Sequence, residues 1–337
     1  MAPRDLAIGM AFLSQTATGI LGNAVLLFHY FFLCLTGYRL KTTDVIAEHL
    51  TLANTVIMLS KGISQTLKAF GIKYFSHIIR CTILLYIYRV ARGVSVSTTC
   101  LLSVFQAMKI SPMTSSWKVL KDKVPKNMGF TIFLIWIHCT LVNFIFPFYA
   151  ISRSNSKNIT KIKHFGQYCS NFRDKITEAL YATLLLFPEL LCSVLMIWSS
   201  CSMIFILHRH KQQVQYISRT NVSQKSSPET RATQSVLVLV CTFVSFYTLS
   251  SCFYTYVVNF YIPNWWLMDT SDLISTCFPT ISPFILMRCN STASRLWFTF
   301  LHFFQNHIEC TAKLSGVHRL FFKKTDRKNE VVVPCNQ

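Results

Sequence analysis

Arg89 and Arg92 stand three residues apart inside the apolar run CTILLYIYRVARGVSVSTTCLLSVFQAMKIS, from Cys81 to Ser111. On a helix that spacing puts both guanidinium groups on one face. A charge at a bilayer centre costs on the order of 2.5–3.5 kcal/mol on insertion scales, so both must look into protein or a water-filled chamber. Leu85, Tyr88, Arg89, Arg92 and Val96 form one stripe at helical spacing. Two more charges share such apolar surroundings: Lys61 in SKGISQT, about two turns from the end of its run, and Glu189 in LLLFPELLCSVLMIW. The chemistry open to this set is recognition. Three cations favour an anionic group such as a sulfate, and Glu189, at about the depth of Arg92, is expected to pair with Arg92 or Arg89. Lys61 has two readings, a snorkelling lysine whose head reaches interfacial water or a cationic pocket wall, and its intramembrane position favours the second. Tyr247, Ser251 and Tyr254 share a helical face, as ligand contacts or as ordinary packing. No CxxC, HExxH, P-loop or paired-carboxylate pattern occurs, so the chain is not expected to be an enzyme or to hold a metal or cofactor.

The elements that must position these residues are membrane helices. Of 337 residues 52% are hydrophobic and only 14% charged, and the apolar runs have membrane length. Seven spans are expected, at roughly 6–34, 45–67, 78–108, 128–150, 177–207, 232–259 and 265–287, followed by a cytoplasmic tail over 288–337. The formal charge of +20 would suggest nucleic acid in a soluble protein, but its distribution argues otherwise. With the C-terminus inside, 20 Lys and Arg fall in the cytoplasmic segments and ten outside, Arg80 at the lip of the third span included. That bias, with an odd number of spans, places the N-terminus outside. Only Met1 to Asp5 precede the first apolar run, which is therefore expected to serve as an uncleaved signal. The fold class is thus an all-α, seven-helix membrane bundle without a nucleic-acid partner.

Thirteen cysteines are scattered, and on this topology only Cys81 and Cys169 reach oxidising territory, where a disulfide between them is the natural reading. Asn158-Ile159-Thr160 is a glycosylation sequon in the second outer loop, whereas the sequons at Asn221 and Asn290 lie inside and should stay bare. Asp269 and Asp272, in the first turns of the seventh span, are expected to face outer water, and His138 and Asn143 to serve as packing residues in the fourth. In the tail, RLWFTFLHFF (295–304) is suited to lie along membrane lipids, with Cys289 and Cys310 as palmitoylation candidates.

Five separated strings carry a resemblance. They are SKGISQT (60–66), YRVARGVSVSTTCLLSVFQAMKISP (88–112), HRHKQQVQYI (208–217), SPETRATQS (227–235) and CFPTISPFILM (277–287). In that order they closely resemble vomeronasal type 1 receptors, a family of rhodopsin-like G-protein-coupled pheromone receptors, over roughly Gly22 to Met287. Gly22-Asn23 resembles the helix-one pair whose amide bridges helices in such receptors. The resemblance implies a multi-pass receptor of the plasma membrane that binds a small pheromone-like molecule between the outer helix halves. It also implies a heterotrimeric G protein as partner, usually of the inhibitory class. The implied ligand set is Lys61, Tyr88, Arg89, Arg92, Glu189, Tyr247 and Tyr254. The implied transducer-facing set is Gln106, Ser111, Pro112, His208, Arg209, Lys211 and Arg231. Phe105-Gln106-Ala107 stands where other rhodopsin-like receptors have Asp-Arg-Tyr, and Asn54 lies near the position of a missing helix-two Asp. Two alternatives remain: a secondary transporter of a small organic anion, although no internal repeat is visible, and a bitter-taste-type receptor, which lacks the fifth- and sixth-span strings.

Overall fold

Large apolar side chains are exposed along the outside of the helices, and many polar ones are buried among the apolar core residues, unlike in a chain folded in water. Phe28, Phe32, Phe133, Leu141, Phe187, Trp198 and Phe205 are exposed, whereas Asn23, Asn54, Thr98, Thr99, Ser103 and Ser282 are fully buried. Hydrocarbon as solvent demands this inversion, because a hydroxyl or amide facing lipid has no partner while one facing another helix does.

The computed structural model describes residues 3–37, 40–71, 78–111, 127–154, 175–217, 228–259 and 265–289, with some side chains at helix ends also left out. Among the described residues all regular structure is helical. The order is α1 (Pro3–Leu35), α2 (Thr42–Ile57), a π-turn (Met58–Gly62), α3 (Ile63–Ala69), α4 (Ile78–Ile110), α5 (Met128–Ser154), α6 (Lys175–Ile217), α7 (Pro228–Asn259) and α8 (Trp265–Cys289). Each expected span falls on a helical rod, α2, the π-turn and α3 together making the second. Leu6–Leu35, Thr82–Ile110, Phe187–Arg209 and Ala232–Ser250 are long and apolar enough to cross a bilayer, and Met128–Phe144 is a shorter apolar stretch. Residues 290–337 lie outside the described residues, and with them the expectations placed on the tail. The helix of the fifth span continues to Ile217, so HRHKQQVQYI is helical.

Helix α4 packs against α2, α5, α6 and α7, so a side chain on it can reach several neighbours at once. Small residues let α1 and α8 approach. A methyl group added at Gly22 would lie 3.0 Å from Pro283 Cγ, and one at Gly19 only 2.6 Å from Met58 Cε. The approach brings Asn23 Nδ2 within 2.9 Å of the Pro279 carbonyl. Pro283, four residues on, has no N–H to offer that carbonyl, so the amide of α1 supplies the missing donor. Asn54 joins three helices, donating to Ser282 Oγ of α8 and accepting from Ser95 Oγ of α4, both at 2.7 Å. Such interhelical hydrogen bonds contribute about 0.6 kcal/mol each in bilayers, with a maximum near 1.7. No carboxylate is needed in this knot, since the hydroxyls at 95 and 282 satisfy the amide.

Of the two packing residues expected on α5, Asn143 is buried and donates to the Cys139 carbonyl at 2.8 Å. His138 is not a packing residue. It falls on the exposed side of α5, because the neighbouring Cys139 takes the contact with α4 at Val90, Val94 and Gly93.

Candidate functional site

The π-turn sets up one half of the site. A turn of this kind holds one residue more than an α-turn, and so advances the register of the next helical segment by about 100°. Ser60 and Ser64 hydroxyls donate to backbone carbonyls of the preceding turn, Val56 and Ser60 respectively. Lys61, within the turn, is carried inward and buried. Its ammonium lies 3.2 Å from Asp272 Oδ1 and 2.5 Å from Ser275 Oγ, both on α8, and 4.8 Å from the Tyr88 ring centre.

Of the two readings of Lys61 the snorkelling one falls, and one expectation is corrected: Asp272 does not face outer water; it is 7% exposed. Asp272 is the site residue that sequence reasoning missed. Its depth was the available signal. Asp272 lies about 10 Å along α8 from Trp265, and Lys61 about 12 Å from the Ala69 end of its own rod, at 1.5 Å per residue. Two opposite charges at one depth in hydrocarbon are a pair to be tested before either is assigned to water.

The other half lies across α4. Arg92 Nε is 3.5 Å from Glu189 Oε1 of α6, the Arg92 guanidinium sits 4.8 Å over the Tyr247 ring of α7, and Tyr247 OH donates to Glu189 Oε2. Glu189 therefore meets Arg92 directly, as its depth by residue count suggested. The two halves touch through one phenol. Tyr88 OH accepts from Arg92 Nη1 at 3.1 Å and from Lys61 Nζ at 3.5 Å. A polar chain thus runs Asp272, Lys61, Tyr88, Arg92, Glu189, Tyr247, through the second, third, fifth, sixth and seventh rods.

Beside that chain is an open hollow between α4, α7 and α8, with Ile57 of α2 also in its wall. Tyr88, Arg92, Ser95, Phe243, Tyr247 and Phe278 are among its walls. Phe243 stacks on Tyr247 and meets Phe278 edge to face, which holds the aromatic wall rigid. Of the residues expected to bind ligand, Tyr88, Arg92 and Tyr247 face the hollow directly. Lys61 stands behind Tyr88, Glu189 behind Arg92, and Arg89 is half-buried one turn away without lining it. The side chain of Tyr254 lies outside the described residues.

At the other end of the bundle, Gln106 does not face outward for a transducer. It is 1% exposed, and its Nε2 donates to Thr233 Oγ1 of α7 at 3.0 Å. Its neighbour one turn back, Ser103, shares a 2.5 Å hydrogen bond with Ser199 of α6. His208 and Arg209 are exposed and Ser111 half-buried. Pro112, Asn158 and Cys169 lie outside the described residues, as do the side chains of Cys81, Lys211 and Arg231, so the expected disulfide and glycan fall there too.

The α4–α6 ion pair makes a direct prediction. Arg92→Glu and Glu189→Arg each place two like charges together and should lose surface expression, while the double swap should restore it. Flow cytometry of an N-terminal epitope reads the result, and a swap no better than the single variants would mean the pair does not hold these helices.

Comparison with known proteins agrees with this architecture. The family model described as the vomeronasal organ pheromone receptor family matches residues 6–299. The human vomeronasal type-1 receptor 4 is 50% identical over 299 residues, covering 88% of this chain and 99% of the relative. The human vomeronasal type-1 receptor 2 is 46% identical over 84% of this chain and 72% of its own length. The zebrafish (Danio rerio) olfactory receptor class A-like protein 1 is 30% identical, covering 84% of this chain and 89% of the relative. A family match over residues 6–299, with half of the positions identical to a type-1 receptor, leaves one conclusion: the chain belongs to the vomeronasal organ pheromone receptor family, among the type-1 receptors.

Proposed function

We propose that this chain crosses the plasma membrane seven times with its N-terminus outside, takes a small ligand in the hollow walled by Tyr88, Arg92 and Tyr247, and signals through an inhibitory-class G protein. The receptor function itself comes with the family, whose members are pheromone receptors of the G-protein-coupled type and not enzymes. The transporter and bitter-taste readings fall with that membership. The observation that carries the ligand site is the hollow, where three helices present two phenols, three phenylalanine rings and one guanidinium to one space. Apolar enclosure with a few convergent polar groups is the usual make-up of a small-molecule site. A ligand there touches α4, α7 and α8 at once, and so can favour one arrangement of these helices over another.

A ligand screen in transfected cells, reading G-protein activation, tests the proposal. Once an agonist is in hand, Tyr247→Ala should raise its half-maximal concentration about tenfold, equivalent to about 1.4 kcal/mol. A Tyr247→Ala receptor with unchanged potency at matched surface level would remove the hollow from consideration as the site.

A further inference from the structure

The geometry points to Glu189 and Asp272 as the residues that set ligand charge: as built-in counter-ions they make the hollow a site for an uncharged, largely apolar molecule carrying one hydrogen-bond acceptor, and exclude organic anions. The inference rests on the ligand-site reading above and reverses what a bare count of cations suggests. Among the described residues lining the hollow Arg92 is the only charged one, and its charge is already answered. Both oxygens of Glu189 are engaged, Oε1 by Arg92 and Oε2 by the Tyr247 hydroxyl, so the carboxylate is held at the guanidinium and is not a mobile neighbour. Lys61, behind Tyr88, is answered in the same way by Asp272 at 3.2 Å. An incoming sulfate or carboxylate would meet one of these fixed anions at the cation it seeks, and would have to expel it into apolar surroundings.

What the hollow does offer is a proton. Arg92 and Lys61 only donate, and both donate to the Tyr88 oxygen. Neither can accept the phenol's own proton. Tyr88 is 8% exposed and lines the hollow, where an O–H without an acceptor is costly. A ketone, ether or ester oxygen on the ligand would take that proton, with Phe243, Phe246 and Phe278 covering its apolar body. The two neighbouring cations polarise the phenol and make it a stronger donor.

A matched pair of probes tests this, 2-acetylnaphthalene as the neutral acceptor and 2-naphthalenesulfonate as the anion. Binding is read as the shift in thermal unfolding midpoint of the purified full chain in nanodiscs. The wild type should bind the ketone at least tenfold more tightly than the sulfonate, and Glu189→Gln should narrow that ratio at least tenfold by exposing Arg92. Adding Arg92→Gln to Glu189→Gln should cancel the gain. If Glu189→Gln fails to fold, Glu189→Asp, which draws the carboxylate back by one methylene, should narrow the ratio in smaller measure. Sulfonate bound as well as the ketone by the wild type overturns the inference and leaves the receptor reading standing, as does a ratio that Glu189 variants do not move. Binding of neither probe to the wild type overturns it together with the hollow as a ligand site.

Discussion

Lys61→Met should remove most of the folded protein, and Asp272→Asn should do nearly the same, whereas Lys61→Met/Asp272→Leu should recover it. Both side chains are about nine-tenths buried and lie 3.2 Å apart. Deleting one partner leaves the other charge without its counter-ion, at a cost of about 3–5 kcal/mol, while replacing both with apolar groups of similar volume is often neutral or better. In Asp272→Asn the lysine has one consolation, because Ser275 and the Tyr88 ring still face its ammonium. Asp272→Asn is therefore expected to keep part of the lysine's stabilisation. Fluorescence-detected size exclusion after a heating series would measure the ordering. Equal damage in the single and double variants would mean that Lys61 is held for some reason other than its ion pair.

Thr233→Val should raise ligand-independent G-protein activation about fivefold. Gln106 stands at the inner end of α4, and its amide clasps α7 through the Thr233 hydroxyl. By resemblance to G-protein-coupled receptors, the inner ends of these helices are expected to separate when the receptor couples. Losing a hydrogen bond worth about 1 kcal/mol from the closed state alone shifts a two-state ratio by about a factor of five. Because the clasp is uncharged, basal signalling should depend little on ionic strength, unlike that of a receptor closed by an exposed ion pair. Gln106→Leu should act in the same direction, with an added packing effect. Basal activity at or below wild type, at matched surface level, would show that this hydrogen bond does not restrain coupling.

Much of this site was legible in the order of residues. Arg92 had to face inward because lipid does not tolerate it, and depth matched Glu189 to Arg92 or Arg89, since helix rise is constant; the structure chose Arg92. Tyr88 and Val96 followed from their spacing with Arg92. Lys61 could be placed in the membrane, but not given its partner. Its direction depends on the π-turn at Met58–Gly62, and Asp272 reads as a rim residue when its own helix is taken alone. Gln106 shows the same limit at the inner end, where a polar residue near a helix terminus suits a docking surface as well as a buried clasp.

By itself, then, the sequence determines the solvent, the helices and which side chains cannot face lipid, because those follow from hydropathy, rise and charge summed along one chain. Which carboxylate answers which cation was decided only by tertiary structure. Pairing depends on distances between helices far apart in sequence and on a local change of turn, and neither is written in any one segment. The ligand chemistry of the hollow follows from that pairing, since three cations counted along the chain suggest an anion site, whereas the two nearest the hollow, Lys61 and Arg92, each stand beside a carboxylate.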